Sequence, residues 1–188
     1  MTEPAVFFDA CVLYPSLLRG ILLRLAGAGL IRPAWTPRVL AEWRIAAARN
    51  GGLAVEAEVD AAVARMAAAF PNAAVSPNPA VEQTLNLPDP VDTHVLAGAL
   101  AAAAEVLLTF NLRDFPARRL AAHGLAPRHP DGFLWELLSQ AQEAVGPILR
   151  EVAAATGQTD PDAARRALKR ARLPRLAKAW AAWAEADG

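Results

Sequence analysis

Cysteine is almost missing from this chain. Cys11 is the one thiol in 188 residues, which excludes an intramolecular disulfide and any zinc site built on cysteines, and fits a reducing compartment. Beside an apolar run it reads as a small buried hydrophobe more readily than as a reactive thiol. Histidine is scarce as well. His94, His123 and His129 are too widely spaced for a zinc motif, and acid–base chemistry on a histidine pair is disfavoured. No charge-free apolar stretch reaches the roughly 20 residues that a membrane span requires. The start, Met1-Thr2-Glu3-Pro4, lacks the basic and apolar regions of a secretory signal. A cytoplasmic protein with no membrane partner is therefore expected. Net charge is also absent, because 19 basic and 19 acidic residues cancel. No global positive field advertises a polyanion partner, so any such surface must be local.

What is present is apolar and rich in alanine. Hydrophobic residues make up 54% and charged residues 20%, a composition that favours a packed, mostly helical protein over disorder. The length suits one full core with a small appended element. Ala5-Val6-Phe7-Phe8 has strand character, and Leu17, Leu18, Ile21, Leu22 and Leu25 then recur at helical spacing over residues 16–28. A second strand is predicted over 30–35, and Thr36-Pro37 reads as N-cap and first-turn proline of a helix that Asn50-Gly51-Gly52 should stop. A further helix over 53–70, a weak strand at 73–75, a helix over 90–104, a strand over 105–110 and a short one at 125–127 follow. Alternating strands and helices predict a parallel sheet covered on both faces. After Pro130 the strand signals stop. Helices are expected over 131–156, with a break at Gly146-Pro147, and after Asp160-Pro161 and Leu173-Pro174.

Acidic residues fall at strand ends and helix starts, where an open parallel sheet binds ligands. Asp9 ends the first strand, and Asn111 and Asp114 lie just past the strand that closes on Thr109. Glu42 sits on the shoulder of an apolar helical stripe, and Asp92 heads the inward row of Val95, Leu96 and Ala99. Burying either carboxylate ionised and alone would cost several kcal/mol, so a cation or an arginine is expected nearby. The ordinary reading stands beside this one. Asp89-Pro90-Val91-Asp92 is a serviceable helix start with Asp89 as cap, and Asn111-Leu112-Arg113-Asp114 has the same form. Four such placements converging on one sheet end are less expected by accident than one shared site.

Two segments, Leu87-Pro88-Asp89-Pro90-Val91-Asp92-Thr93-His94-Val95-Leu96-Ala97 and Thr109-Phe110-Asn111-Leu112-Arg113-Asp114-Phe115-Pro116, taken with Asp9 and Glu42, resemble the PIN domain, and most closely its branch of VapC-type toxins. The resemblance covers about residues 4–130. It implies a three-layer α/β/α fold with a central parallel sheet (residues 1–130) and a C-terminal helical extension (131–188). It also implies a Mg²⁺- or Mn²⁺-dependent endoribonuclease acting on structured RNA, transfer or ribosomal, and restrained by a cognate antitoxin. By position it assigns the metal to Asp9, Glu42 and Asp92, with Asn111 or Asp114 completing the site. Near the family's fourth acidic position this sequence has Asn111, with Asp114 three residues on. Thr109, Asn111 and Arg113 are expected to position substrate. Alternatives are a degenerate PIN module that binds without cutting, and a PIN nuclease of RNA processing with no antitoxin. A haloacid-dehalogenase-like phosphatase would need a second Asp where Cys11 stands, and a receiver-like domain would need a paired acid that is not evident.

Basic residues offer RNA contacts around such a hole. Arg19, Arg24, Arg44, Arg49, Arg113, Arg118 and Arg119 are candidates, as is the run Arg165, Arg166, Lys169, Arg170, Arg172, Arg175 and Lys178 in the tail. An ordinary solvated helix face explains that run equally well. Five tryptophans read as core or interface anchors. Trp180 and Trp183 are alternatively a seat for an antitoxin segment or for a second copy in a homodimer.

Overall fold

A computed structural model describes residues 3–186, which leaves Met1 and Thr2 of the start segment outside the described residues. Four strands, β1 (Ala5–Phe8), β2 (Arg32–Ala34), β3 (Val106–Leu108) and β4 (Ala126–Arg128), form a parallel sheet in the order β2-β1-β3-β4. The registers Phe7↔Ala34, Phe8↔Leu108 and Leu108↔Arg128 align the strand ends. Every residue of β1 is buried, as a central strand covered on both faces must be.

The layers follow from handedness. The chain leaves β1 for β2 on one side, through α1 (Ala10–Leu13) and α2 (Ser16–Gly27), and later returns past β1 to β3 on the other. Parallel crossovers are right-handed, so moves in opposite lateral directions put their helices on opposite faces of the sheet. The return crossover carries α3 (Pro37–Ala69), α4 (Pro79–Glu82), a 3₁₀ turn (Pro90–Asp92) and α5 (Thr93–Ala101). Close packing of α5 on β1 depends on Gly98, where a Cβ would lie 2.6 Å from Phe7 Cζ and from Thr36 Cγ2. Short α6 (Ala117–Ala121) joins β3 to β4, and α7 (Pro130–Gln140), α8 (Gln142–Ala155), α9 (Pro161–Arg170) and α10 (Pro174–Ala186) complete the chain. Together these make a three-layer α/β/α fold with C-terminal helices, as expected. No helix among the described residues is long and apolar enough to cross a membrane.

Four local readings need correction. Asn50-Gly51-Gly52 does not stop the helix, since α3 runs through it for 33 residues. Its axis nevertheless turns back there. Arg44 and Asp60 form an ion pair although they are 16 positions apart, a separation of about 24 Å along a straight helix. Gly51 permits the bend, because a Cβ there would meet Val55 Cγ2 at 2.3 Å. In the tail the break falls at Ala141 and not at Gly146-Pro147, and Pro147 lies inside α8. Gly146 serves a different end: a Cβ would come 2.3 Å from Trp183 Cε2, and its carbonyl accepts from Trp180 Nε1 at 3.4 Å. Finally, the helix expected over 90–104 begins as a 3₁₀ turn and ends at Ala101, with Ala103 at φ +47 turning the chain into β3. The weak strand at 73–75 reduces to one bridge, Trp35 with Ala74.

Candidate functional site

The order of connection reverses between β1 and β3, so their carboxyl ends open the crevice where such sheets bind ligands. Asp9 leaves β1 on one side of it and Thr109 leaves β3 on the other. Fully buried Thr109 donates its hydroxyl to Asp9 Oδ2 at 2.6 Å and accepts the Asn111 N–H at 3.0 Å. Cys11 Sγ donates to the same Oδ2 at 3.1 Å and accepts the Phe110 N–H at 3.2 Å. The turn after β3 therefore fixes the carboxylate after β1. Burial, then the charge of Asp9, pushes the Cys11 thiol up to about 12, so it stays protonated and serves as a donor. The sequence placed Cys11 as a mere hydrophobe and missed this bond. Its i+2 spacing from Asp9 was the available signal.

Helix α3 brings Glu42 to the crevice, and Thr36, whose hydroxyl accepts the Val39 N–H at 3.2 Å, sets where that helix starts. Glu42 Oε1 lies 2.8 Å from His94 Nε2 and 3.7 Å from Arg38 Nε. Burial is the main cause that raises the Glu42 carboxyl above its ordinary range; Arg38 opposes the shift, while Asp9 and Asp92 add to it. His94 is 2% exposed, and burial, with Arg38 nearby, lowers its pKa to about 4. The contact is close but off hydrogen-bond alignment, and neither ring nitrogen has another partner among the described residues. Two bare lone pairs would repel at 2.8 Å, so we read His94 as the neutral tautomer with its proton on Nε2, on the side of Glu42. A polar residue in the buried run His94 to Ala99 was the sequence signal for it.

Asp92 differs from its neighbours in having no hydrogen-bond or ion-pair partner for its side chain among the described residues. Asp89 beside it is a helix cap, accepting the Val91 N–H at 2.9 Å. Burial first, then the charges of Asp9, Asp114 and Asp89, raise Asp92 to about 6. Asp114 in turn accepts a hydrogen bond from the Asn111 amide. Asp9, Glu42, Asp92 and Asp114 thus act on one another electrostatically across one crevice. No three acidic, His or Cys side chains among the described residues are drawn close enough to hold an ion outright. Like charges held half-buried without enough counter-charge are nevertheless what a hard divalent cation with oxygen and water ligands relieves, so the donor chemistry of the crevice, though not the spacing of its carboxylates, suits such an ion.

The basic residues divide. Arg24 pairs with Glu151 and Arg44 with Asp60, while Arg19 stacks on Trp43 at 4.6 Å; these serve the fold. In the tail Arg165 pairs with Asp162 at 3.1 Å, Arg166 lies 3.8 Å from Asp160, and Lys169 and Arg170 are exposed. Exposed Arg113 has no polar partner among the described residues. Trp180, 3% exposed, is core and not a docking seat; Trp183 packs on Gly146 under Arg150. A groove of ≈ 830 Å³ between α2, α3 and α8 carries none of the four carboxylates.

The fold and site together are a parallel sheet between helical layers with an acidic crevice at its switch point. The chain belongs to the PIN domain family, whose domain model matches residues 5–113, more than half of the sequence. It is also 40% identical over 58 residues to a protein of Mycobacterium tuberculosis named "Putative ribonuclease VapC50", a match spanning 31% of this chain and 34% of that relative, about a third of its length. No solved structure gives a significant match.

Proposed function

We propose that this chain is a divalent-metal-dependent endoribonuclease that acts as the toxin of a toxin–antitoxin pair, with residues 131–188 as a helical extension of the nuclease domain. The observation that carries the reading is Asp92: a half-buried carboxylate without a partner, raised to about 6 and facing Asp9, Asp114 and Asp89. Membership of the PIN family and the partial likeness to a protein named as a ribonuclease support the choice of RNA.

Asp9, Glu42, Asp92 and Asp114 would hold Mg²⁺ or Mn²⁺. The bound ion would neutralise the phosphate and lower the pKa of an attacking water. The chain's own groups do the rest. Thr109 and Cys11 hold Asp9 Oδ2 and leave Oδ1 without a protein partner among the described residues. His94 and Arg38 brace Glu42. Asn111 restrains Asp114, and exposed Asn111 and Arg113 are suited to position a phosphate; Thr109, expected from the sequence to do so as well, is fully buried with its hydroxyl committed to Asp9 and positions that carboxylate instead. In-line hydrolysis would leave a 5′-phosphate and a 3′-hydroxyl. The substrate is a structured RNA, transfer or ribosomal, and a small antitoxin encoded beside this chain would block the crevice.

The test is Asp9→Asn and Asp92→Asn. Each should lower RNA cleavage at least about 100-fold, by analogy with the loss of other charge-stabilising groups, and should relieve growth arrest with the circular dichroism unchanged. Retained cleavage in either folded variant refutes the site.

A further inference from the structure

The C-terminal helices reach the crevice through Arg172. Helix α9 is closed by the Arg172 N–H on the Lys169 carbonyl and the Leu173 N–H on the Leu168 carbonyl, each at 3.0 Å, and Leu173 is fully buried. This locked end holds Arg172 at φ +65. Glycine ordinarily takes that position, because an L side chain there is strained; elsewhere in this chain Gly29, Gly124 and Gly157 supply comparable angles. Strain retained at a surface residue points to a use for its side chain.

That side chain lies over the proposed site. The guanidinium stacks 4.5 Å above the ring of Phe110, the residue between Thr109 and Asn111, whose own edge is steadied by His129 at 5.1 Å. Arg172, Phe110, Glu42, Cys11 and Tyr14 line one cleft of ≈ 550 Å³. Unlike Arg165 and Arg166, Arg172 has no carboxylate partner among the described residues. Stacking fixes the plane of the cation while leaving its N–H edge for an oxyanion. The cleft is sized for one small ligand and not for a duplex, and exposed Tyr14, whose hydroxyl accepts from Asn50 at 3.1 Å, borders it.

We propose that Arg172 binds the phosphate next to the scissile one in an unpaired stretch of RNA, with the cleft between Phe110 and Tyr14 receiving the intervening nucleotide. The proposal rests on the nuclease reading of the crevice. It makes the tail part of the substrate site through one residue held by a helix end, and unstacked single strands are the form in which RNA bases enter such clefts.

The test compares Arg172→Gly and Arg172→Lys in the full-length Asp9→Asn protein, reading the anisotropy of a labelled short single-stranded RNA in Mg²⁺ across a salt series. Arg172→Gly should weaken binding about tenfold and reduce the salt slope by about 0.7, one phosphate contact on a single strand. It should also raise Tm by a few °C, since glycine relieves the strain. Arg172→Lys should recover the slope. With Asp9 restored, Arg172→Gly should raise KM more than it lowers kcat. Unchanged affinity and slope, no RNA binding at all, or a loss of binding that tracks a fall in Tm overturns the proposal. Binding through Arg172 without any cleavage by the wild-type chain would instead sink the nuclease reading and leave the phosphate site standing.

Discussion

Two aspartates of this fold, one buried and one half-buried, are withdrawn from solvent to different ends. At the junction of α7 and α10, Asp131 is 5% exposed and accepts the N–H of Arg175 at 3.1 Å and of Leu176 at 2.9 Å, so both carboxylate oxygens cap the first turn of α10. In the crevice Asp92 has no such donor and faces Asp9, Asp114 and Asp89. The first region spends its buried charge on holding two helices together. The second keeps its charge unmatched, and local frustration of that kind is the ground on which the crevice is proposed to take a ligand.

Breaking the satisfied region should have the largest effect on stability. Asp131→Ala leaves two N–H groups of a buried helix start without acceptors and removes a charge-assisted cap, a loss of about 3 kcal/mol. At about 2–4 °C per kcal/mol for a chain of this size, Tm should fall by roughly 6–12 °C. Thermal unfolding checks this, and a shift below about 2 °C would mean that the junction is held by apolar packing alone.

The same lesion placed in each region should separate them further. Gly98→Ala drives a Cβ to 2.6 Å from Phe7 and Thr36, and Gly146→Ala drives one to 2.3 Å from Trp183. Overpacking of this kind costs about 1–3 kcal/mol, with Gly146 at the lower end because partly exposed Trp183 can yield. Gly98 also sets how α5 sits on β1, and α5 follows Asp92 and carries His94. Gly98→Ala should therefore lower RNA cleavage per folded molecule, whereas Gly146→Ala should leave it unchanged. Equal activities would show that the crevice tolerates displacement of α5.

The sheet and the carboxylates were readable because each has a local pattern. Ala5–Phe8 is a short apolar run ended by Asp9, and Thr36-Pro37 opens α3 by capping chemistry alone. What escaped depends on contacts made by distant segments. The bend of α3 is visible only in the Arg44–Asp60 pair, since a Gly-Gly step permits a stop and a fold-back equally. Pro147 promised a break, yet α8 continues through it at the loss of one i→i−4 bond, and the packing of Gly146 on Trp180 and Trp183 holds the helix together across it. The Thr109–Asp9 and Phe110–Cys11 bonds join residues about 100 positions apart, and Arg172 reaches Phe110 across a turn that no periodicity encodes.

The smallest expected effect sharpens the comparison most. The Asp92 pKa is raised in the folded state to about 6 from an ordinary 3.8, so the protonated form is favoured by folding. Its contribution to stability is complete below the ordinary value and is lost as pH rises through about 6. Without metal, the wild-type chain should therefore lose Tm relative to Asp92→Asn between about pH 4 and 7, with the gap flat above that window. Mg²⁺ or Mn²⁺ at pH 7 should close the gap by stabilising the wild type alone, because only the ionised crevice binds the ion well. A gap that stays constant from acid to neutral pH, or one that metal leaves untouched, would place Asp92 with Asp131 as a carboxylate of the fold and not of the site.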